Sequence, residues 1–310
     1  MTSEEVKRAA RQLGFFACGI AKAAPVAEAE ANAYRRWIAH RGHAEMHYME
    51  DHVEKRLDPT LLLPGAKSIV VVALNYTPTR LANEQELHLA AYALGKDYHD
   101  VLKERLRHLV ETLQLPASDE TVKICTDTVP IMERYWAVQA GLGFIGRNHQ
   151  LIIPHAGSMF FLGEIVTTCE ADVYDKPTDQ SCGLCQQCVA VCPTGALDDP
   201  VMFDSEKCLS YQTIEHRGPL SDAAKNNLGK VIYGCDRCQQ VCHWNKTAPP
   251  TNIPELQPSE ALMQMRRDDW QQLTVEQYRK LFKGSAVKRA KYEGLMRNIE
   301  AALAQEQGEE

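Results

Sequence analysis

Eight of the eleven cysteines fall between residues 182 and 242, a stretch too rich in thiols to fold around an ordinary apolar core. The first run, C-G-L-C-Q-Q-C-V-A-V-C-P, places Cys182, Cys185, Cys188 and Cys192 with Pro193 directly after. The second group is Cys208, then C-D-R-C-Q-Q-V-C as Cys235, Cys238 and Cys242. Such spacing suits thiolates gripping two cubane iron–sulfur clusters. Structural zinc prefers two C-x2-C pairs across a longer loop, and a run closed by proline suits that poorly. A disulfide framework needs an oxidising compartment. The chain opens M-T-S-E-E-V-K-R-A-A-R, which reads as an amphipathic helix with Thr2 and Glu5 placed for a capping box, not as a signal peptide. Two [4Fe–4S] clusters are the favoured reading, with zinc and disulfides as the alternatives. A chain so equipped moves electrons one at a time.

In bacterial-type ferredoxins three cysteines of such a run wrap one cluster while the fourth crosses to the other. Applied here, Cys182, Cys185, Cys188 and Cys242 hold one cluster, and Cys192, Cys208, Cys235 and Cys238 hold the second. Cys18, Cys125 and Cys169 lie in apolar, strand-like stretches and read as small buried hydrophobes.

At 310 residues the chain has room for about two domains. No apolar run approaches the roughly 18 residues needed to span a membrane. A formal charge of −7 does not advertise nucleic-acid binding, yet a local basic strip can dominate one face. The thiols and the absence of a targeting segment set the reducing cytoplasm as the default compartment.

Residues 1–172 alternate helical and strand-like patterns, as an α/β (or α+β) domain should. Strands are expected at Phe15 to Ala21, Ser68 to Asn75, Val122 to Cys125, Leu151 to Ile153 and Met159 to Val166. Helices are expected at Glu28 to His40, Asp97 to Leu115 and Ile131 to Ala140. A loop bearing Asp172 and Asp175 leads to residues 173–250, read as a ferredoxin-like domain of short helices with little apolar core. Residues 251–310 read as a helical segment whose end, after Ala301, frays.

Two clusters alone make an electron carrier, but here they are attached to a domain of reductase size. That domain has no G-x-G-x-x-G after a strand. The nearest run, Gly141 to Gly146, follows a helix, so it reads as a turn letting backbone approach some other bulky ligand. No D-x-H-x-x-G element, of the kind that supplies a histidine to cobalt, is present. His40, His43 and His47 with Glu45 invite a metal reading, but Gly42 interrupts their helix.

The chain resembles the epoxyqueuosine reductases. The resemblance is carried by D-T-V-P-I-M-E-R (Asp127 to Arg134) with A-G-L-G-F-I-G-R-N (Ala140 to Asn148). It extends to R-L-D-P and L-L-P-G-A-K-S within Arg56 to Ser68, A-L-G-K-D-Y-H (Ala93 to His99), C-L-S-Y-Q-T-I-E (Cys208 to Glu215) and G-C-D-R-C-Q-Q-V-C (Gly234 to Cys242). It implies a base-off cobalamin between the first domain and the clusters, and reduction of epoxyqueuosine to queuosine at the wobble position of tRNA. Asp127 is then the expected proton donor, in a site desolvated enough to keep it neutral. The plainer alternative is that Asp127 caps a helix starting near Pro130. Arg56, Leu151, Leu162, Ser210, Glu215, Cys235 and Asp236 are the other expected cobalamin contacts. For tRNA the candidates are Arg217, Lys283, Lys288, Arg289 and Lys291, part of a basic, aromatic-interleaved strip that also includes Arg297. The final cysteine is followed by His243, Trp244 and Asn245 where the family usually has proline, and Arg147 stands where it has lysine. The resemblance also implies an external electron donor of unknown identity; the protein is read as a monomer. A cobalamin-dependent reductive dehalogenase and a plain two-cluster carrier are the competing functions.

Overall fold

The structure, a computed structural model, describes residues 1–80, 86–116 and 118–308, with side chains as far as Gln305. Its spine is a β-branched run, S-I-V-V-V-A-L-N, buried along its whole length as a central strand. Numbered in chain order, the strands are β1 (Ala17–Lys22), β2 (Ser68–Asn75), β3 (His88–Leu89), β4 (Val122–Cys125), β5 (Phe144–Ile145), β6 (Leu151–Ile152), β7 (Phe160–Thr167) and β8 (Val231–Tyr233). The main sheet runs β1-β2-β7-β4, and every neighbour pair is antiparallel. Of the two expected classes this is α+β. Sequence pattern located the strands but carried no information on their direction.

Period-two alternation along β2 divides two cores. Val70, Val72 and Leu74 face the Ser3–Gln12 and Tyr98–Thr112 helices, meeting Val6, Ala10, Leu102, Leu106 and Leu109. Ile69, Val71 and Ala73 face the other way, toward Trp136 and Ala137 of the Glu133–Gln139 helix. Each large side chain so buried contributes about 1.5–3 kcal/mol, enough to fix the register of the sheet.

β6 does not join that sheet. It pairs with β5 in a two-stranded hairpin, and the glycine-rich turn serves this pairing. A Cβ at Gly143 would lie 2.0 Å from the Ile152 carbonyl oxygen. The close approach at Gly143 is therefore to the chain's own backbone.

The cysteine segment is built from one-turn helices, Gln187–Ala190, Leu209–Ile214, Asp222–Lys225 and Arg237–Gln240, as a fold wrapped on inorganic cofactor requires. Two departures from expectation tie it to the rest. The stretch around Asp172 and Asp175 is strapped down: Ser3 N–H donates to Asp172 (2.8 Å), and Asp175 accepts from Lys7 (2.6 Å) and Ile20 N–H (2.9 Å). β8 pairs in parallel with β3, so Ile232, Tyr233, Leu87 and Leu89 share a third core with Trp270, Phe282, Leu295 and Ile299.

The end of the chain does not fray at Ala301. The Lys291–Gly308 helix buries Ala302 and Leu303 in that third core. Gln305 accepts from Gly229 N–H and donates to the Asn226 carbonyl, both at 2.9 Å. Asn298, fully buried, donates to the carbonyls of Thr213 and Ile232. No helix among the described residues is long and apolar enough to cross a membrane.

Candidate active site

Between the sheet and the cysteine segment lies a cleft of about 350 Å³ that opens to solvent, within the size range of ordinary ligand pockets. One wall is Leu151, Phe160, Phe161, Leu162 and Tyr76, from β6, β7 and the end of β2. The opposite wall is Cys192, Cys208, Ser210, Cys235, Asp236 and Cys238. Asp127, Glu133, Arg134, Asn148, Gln150 and Ser158 line it between these walls. No histidine lines it among the described residues.

Cys188 and Cys242 lie close enough to Cys182 and Cys185 to feel their charge. Cys208 feels Cys192, and Cys238 feels Cys235, Cys208 and Cys188. Of the eight, Cys192, Cys208, Cys235 and Cys238 line the cleft. Cys18 and Cys169 pack against the first core and Cys125 is buried in the second, as small hydrophobes do.

Asp127 follows β4 and projects into the cleft. It is not a helix cap, because the next helix starts at Glu133 with Met132 as its uncapped N-cap. Its carboxylate accepts from the Tyr98 hydroxyl and from His99 Nε2 at 2.5 Å. Its side chain is 41% exposed. The loop after β4 leaves it open to the cleft, while of the nearby acids Glu164 is fully buried and Glu133 partly so.

The partners are positioned by the Tyr98–Thr112 helix. Asp97 is its N-cap, accepting from His99 N–H, and also holds His99 Nδ1 at 2.6 Å. Tyr98 is clamped by stacking on Phe161, with ring centroids 4.2 Å apart. Burial works against a charged His99, but the hydrogen bonds to Asp127 and Asp97 overcome it and lift its pKa to about 9. Burial, then the Asp127 charge, pushes the Tyr98 hydroxyl far above its ordinary value, so it donates. The charged imidazole of His99 therefore sits between the side chains of Asp97 behind and Asp127 at the cleft.

Behind Asp127 lie two more acids. Burial and the Asp127 charge push Glu133 up to about 8, against the pull of Arg134, His99 and Arg56. Glu164 of β7, fully buried, is raised well above the carboxylate range by burial, Glu133 and Asp127. Asp236 is raised to about 6 by burial, though it accepts from Ala91 N–H at 2.6 Å.

Of the expected cobalamin contacts, Asp127, Leu151, Leu162, Ser210, Cys235 and Asp236 line this one cleft. Arg56 and Glu215 do not. Arg56 donates to the Tyr48 carbonyl at 3.3 Å, and Glu215 is held by Arg289 at 2.7–3.1 Å. Sequence adjacency to a cluster cysteine failed for Glu215 because it lies at the C-terminal end of the Leu209–Ile214 helix and is engaged by Arg289. Tyr98 and His99 were missed as site residues although they lie inside the quoted Ala93–His99 motif. The histidine group forms differently from the spacing: His43 pairs with Glu50 at 2.5 Å, His47 lies 3.7 Å from the same acid, and Glu45 pairs with His216.

Residues 56–128 match the family model described as Epoxyqueuosine reductase QueG, DUF1730, and residues 181–245 match a 4Fe-4S double cluster binding domain. Curated epoxyqueuosine reductases from Leadbetterella byssophila and Cellulophaga algicola are 41% and 37% identical to it. Each alignment covers 96% of this chain and 97% of the relative. This chain belongs to the epoxyqueuosine reductase family. A solved epoxyqueuosine reductase bound to an epoxyqueuosine-modified tRNA-Tyr stem loop superposes with a TM-score of 0.87 at 30% identity, covering 97% of this chain and 80% of that one. The enzyme from Bacillus subtilis, solved with its catalytic aspartate loop swung out of the active site, gives 0.86 at 30% identity, with coverage of 97% and 81%. As an epoxyqueuosine reductase the chain is an oxidoreductase of tRNA modification carrying two [4Fe–4S] clusters, which sets aside the zinc, disulfide, dehalogenase and plain-carrier readings.

Proposed function

We propose that the chain reduces epoxyqueuosine to queuosine at the wobble position of tRNA anticodons, with the substrate epoxide entering the cleft beside Asp127. The observation that carries this reading is the cleft itself, with one cluster's four thiols on one wall and a hydrogen-bonded aspartate facing them. Cys182, Cys185, Cys188 and Cys242 would hold one cluster. Cys192, Cys208, Cys235 and Cys238, which line the cleft, would hold the other and would bring its electron chemistry to the cleft wall.

The residues present fit a cobalamin there. One wall of the cleft is apolar, and Asn148, Gln150, Ser158 and Ser210 in its lining suit a cofactor rimmed with amides. When bound, cobalamin would supply low-potential electron chemistry at the substrate carbon. Leu151, Leu162 and Phe160 would exclude water from the cleft, and Asp236 and Ser210 line the wall that carries the cysteines.

Charged His99, fixed by Asp97, passes its proton through Asp127 to the departing oxygen. For the tRNA, Lys283, Lys288 and Lys291 are exposed and free to meet phosphates. Arg217 and Arg289 are engaged within the protein: Arg217 donates to the Arg289 carbonyl at 2.8 Å, and Arg289 grips Glu215. The test is anaerobic incubation of reconstituted enzyme and reductant with an epoxyqueuosine-bearing stem loop, followed by mass spectrometry. Conversion to queuosine supports the reading, and an untouched epoxide in fully loaded enzyme rejects it.

A further inference from the structure

Removing an epoxide oxygen as water breaks two C–O bonds, forms one C=C bond and consumes two electrons and two protons. The clusters pass on the electrons singly. Asp127 accounts for one proton, which converts the opened oxygen to a hydroxyl. That transfer spends the one proton that the His99–Asp127 pair has to give. The hydroxyl still needs a proton to leave as water.

We propose that Glu133, standing as a neutral carboxylic acid in the wall of the same cleft, supplies this second proton, with Glu164 as the acid behind it. This rests on the functional reading given above.

The geometry starts from hydrogen bonds that are not made. Glu133 lines the cleft from the first turn of its helix, and its Oε1 is buried without a hydrogen-bond partner. Glu164 is fully buried on β7, opposite Cys125 of β4, and neither of its oxygens has a partner. A carboxylate left ionised in such a place costs several kcal/mol, so the neutral acid is the stable form. The charged and titratable groups around Glu133 come from five elements. They are Cys125 on β4 and Asp127 after it, Arg134 on its own helix, Tyr98 and His99 on the Tyr98–Thr112 helix, Arg56 on the Val53–Leu57 helix and Glu164 on β7. The cations temper the effect of burial and the Asp127 charge, leaving Glu133 titrating near 8 and able to yield its proton. Glu164, raised further, keeps its proton and holds Glu133 in a low-dielectric setting.

The experiment uses loaded enzyme and an epoxyqueuosine-bearing stem loop in single turnovers. Glu133→Gln preserves the shape of the neutral acid, so fold and clusters should survive, checked by iron content. Queuosine formation should slow by about 10²-fold or more. The wild-type rate should fall as pH rises through about 8, and this limb should vanish in the variant. Glu133→Asp should recover part of the rate. In enzyme without substrate, the infrared band of a protonated carboxyl should titrate near the same pH and be lost in Glu133→Gln. A Glu133→Gln enzyme with the wild-type rate and the same alkaline limb overturns the proposal while leaving the function intact. A wild-type enzyme that leaves the epoxide unchanged overturns the function itself, and this proposal with it.

Discussion

Asp127 combines exposure to the cleft with two donors that hold its carboxylate in one orientation. Asp127→Asn keeps the size and loses the acid. It should reduce turnover by about 10²–10⁴-fold with the cluster absorbance unchanged; a variant of undiminished rate would remove Asp127 from the chemistry. His99 makes a second prediction, for stability. Its pKa is raised from 6.5 to about 9 by its two carboxylate partners, so its contribution is complete below about 6.5 and is lost as pH rises through about 9. Thermal unfolding of wild type against His99→Gln should show a gap on the order of 2 kcal/mol at low pH that closes above 9. Asp127 was legible in the sequence because its motif stands next to a clear strand. His99 was not, since its role depends on a helix N-terminus brought across from a separate part of the fold. Glu164 was hidden for another reason: on a strand, a single acid among apolar residues reads as a solvent-facing position.

The elements were largely readable. β2 and β4 occupy the expected residues, because a β-branched run between turn signals has few other ways to be buried. The pairing was not readable, and the antiparallel sheet removes the rule that parallel sheets gather chemistry at their strand ends. The C-terminal helix was misjudged for a related reason. Its polar composition suggested fraying and an open basic face, yet Arg297 is spent inside, donating to the carbonyls of Gln212, His216 and Gly218 at 2.6–2.9 Å. Arg297→Met should therefore cost about 2–3 kcal/mol in chemical denaturation, whereas Lys288→Glu should stay within about 0.5 kcal/mol. Asn245 shows how a departure from the family pattern is absorbed. It accepts from Ser158 N–H at 2.7 Å and donates to the Gln239 carbonyl, and the Gly157 it packs against has no room for a side chain.

At the scale of the molecule, the cysteine segment is a hub joining two apolar bodies. It closes the cleft against the sheet, and through β8 it anchors the C-terminal helices. The exposed Lys283, Lys288 and Lys291 lie on that C-terminal body, so tRNA docking can be weakened without touching the cleft. Charge reversal at Lys288 and Lys291 together should lower tRNA affinity and reduce its salt slope by roughly 1.5, with the rate at saturating tRNA preserved. Unchanged binding and slope would move the docking surface elsewhere. The claim on which the rest depends is that the cluster facing the cleft feeds the reduction. Cys208→Ala tests it most directly, by iron analysis together with mass spectrometry of an epoxyqueuosine-bearing stem loop. The account predicts loss of about half the iron, retention of the Cys182, Cys185, Cys188 and Cys242 cluster, and no queuosine formed. Queuosine produced at the wild-type rate by protein lacking the cluster that faces the cleft would contradict it.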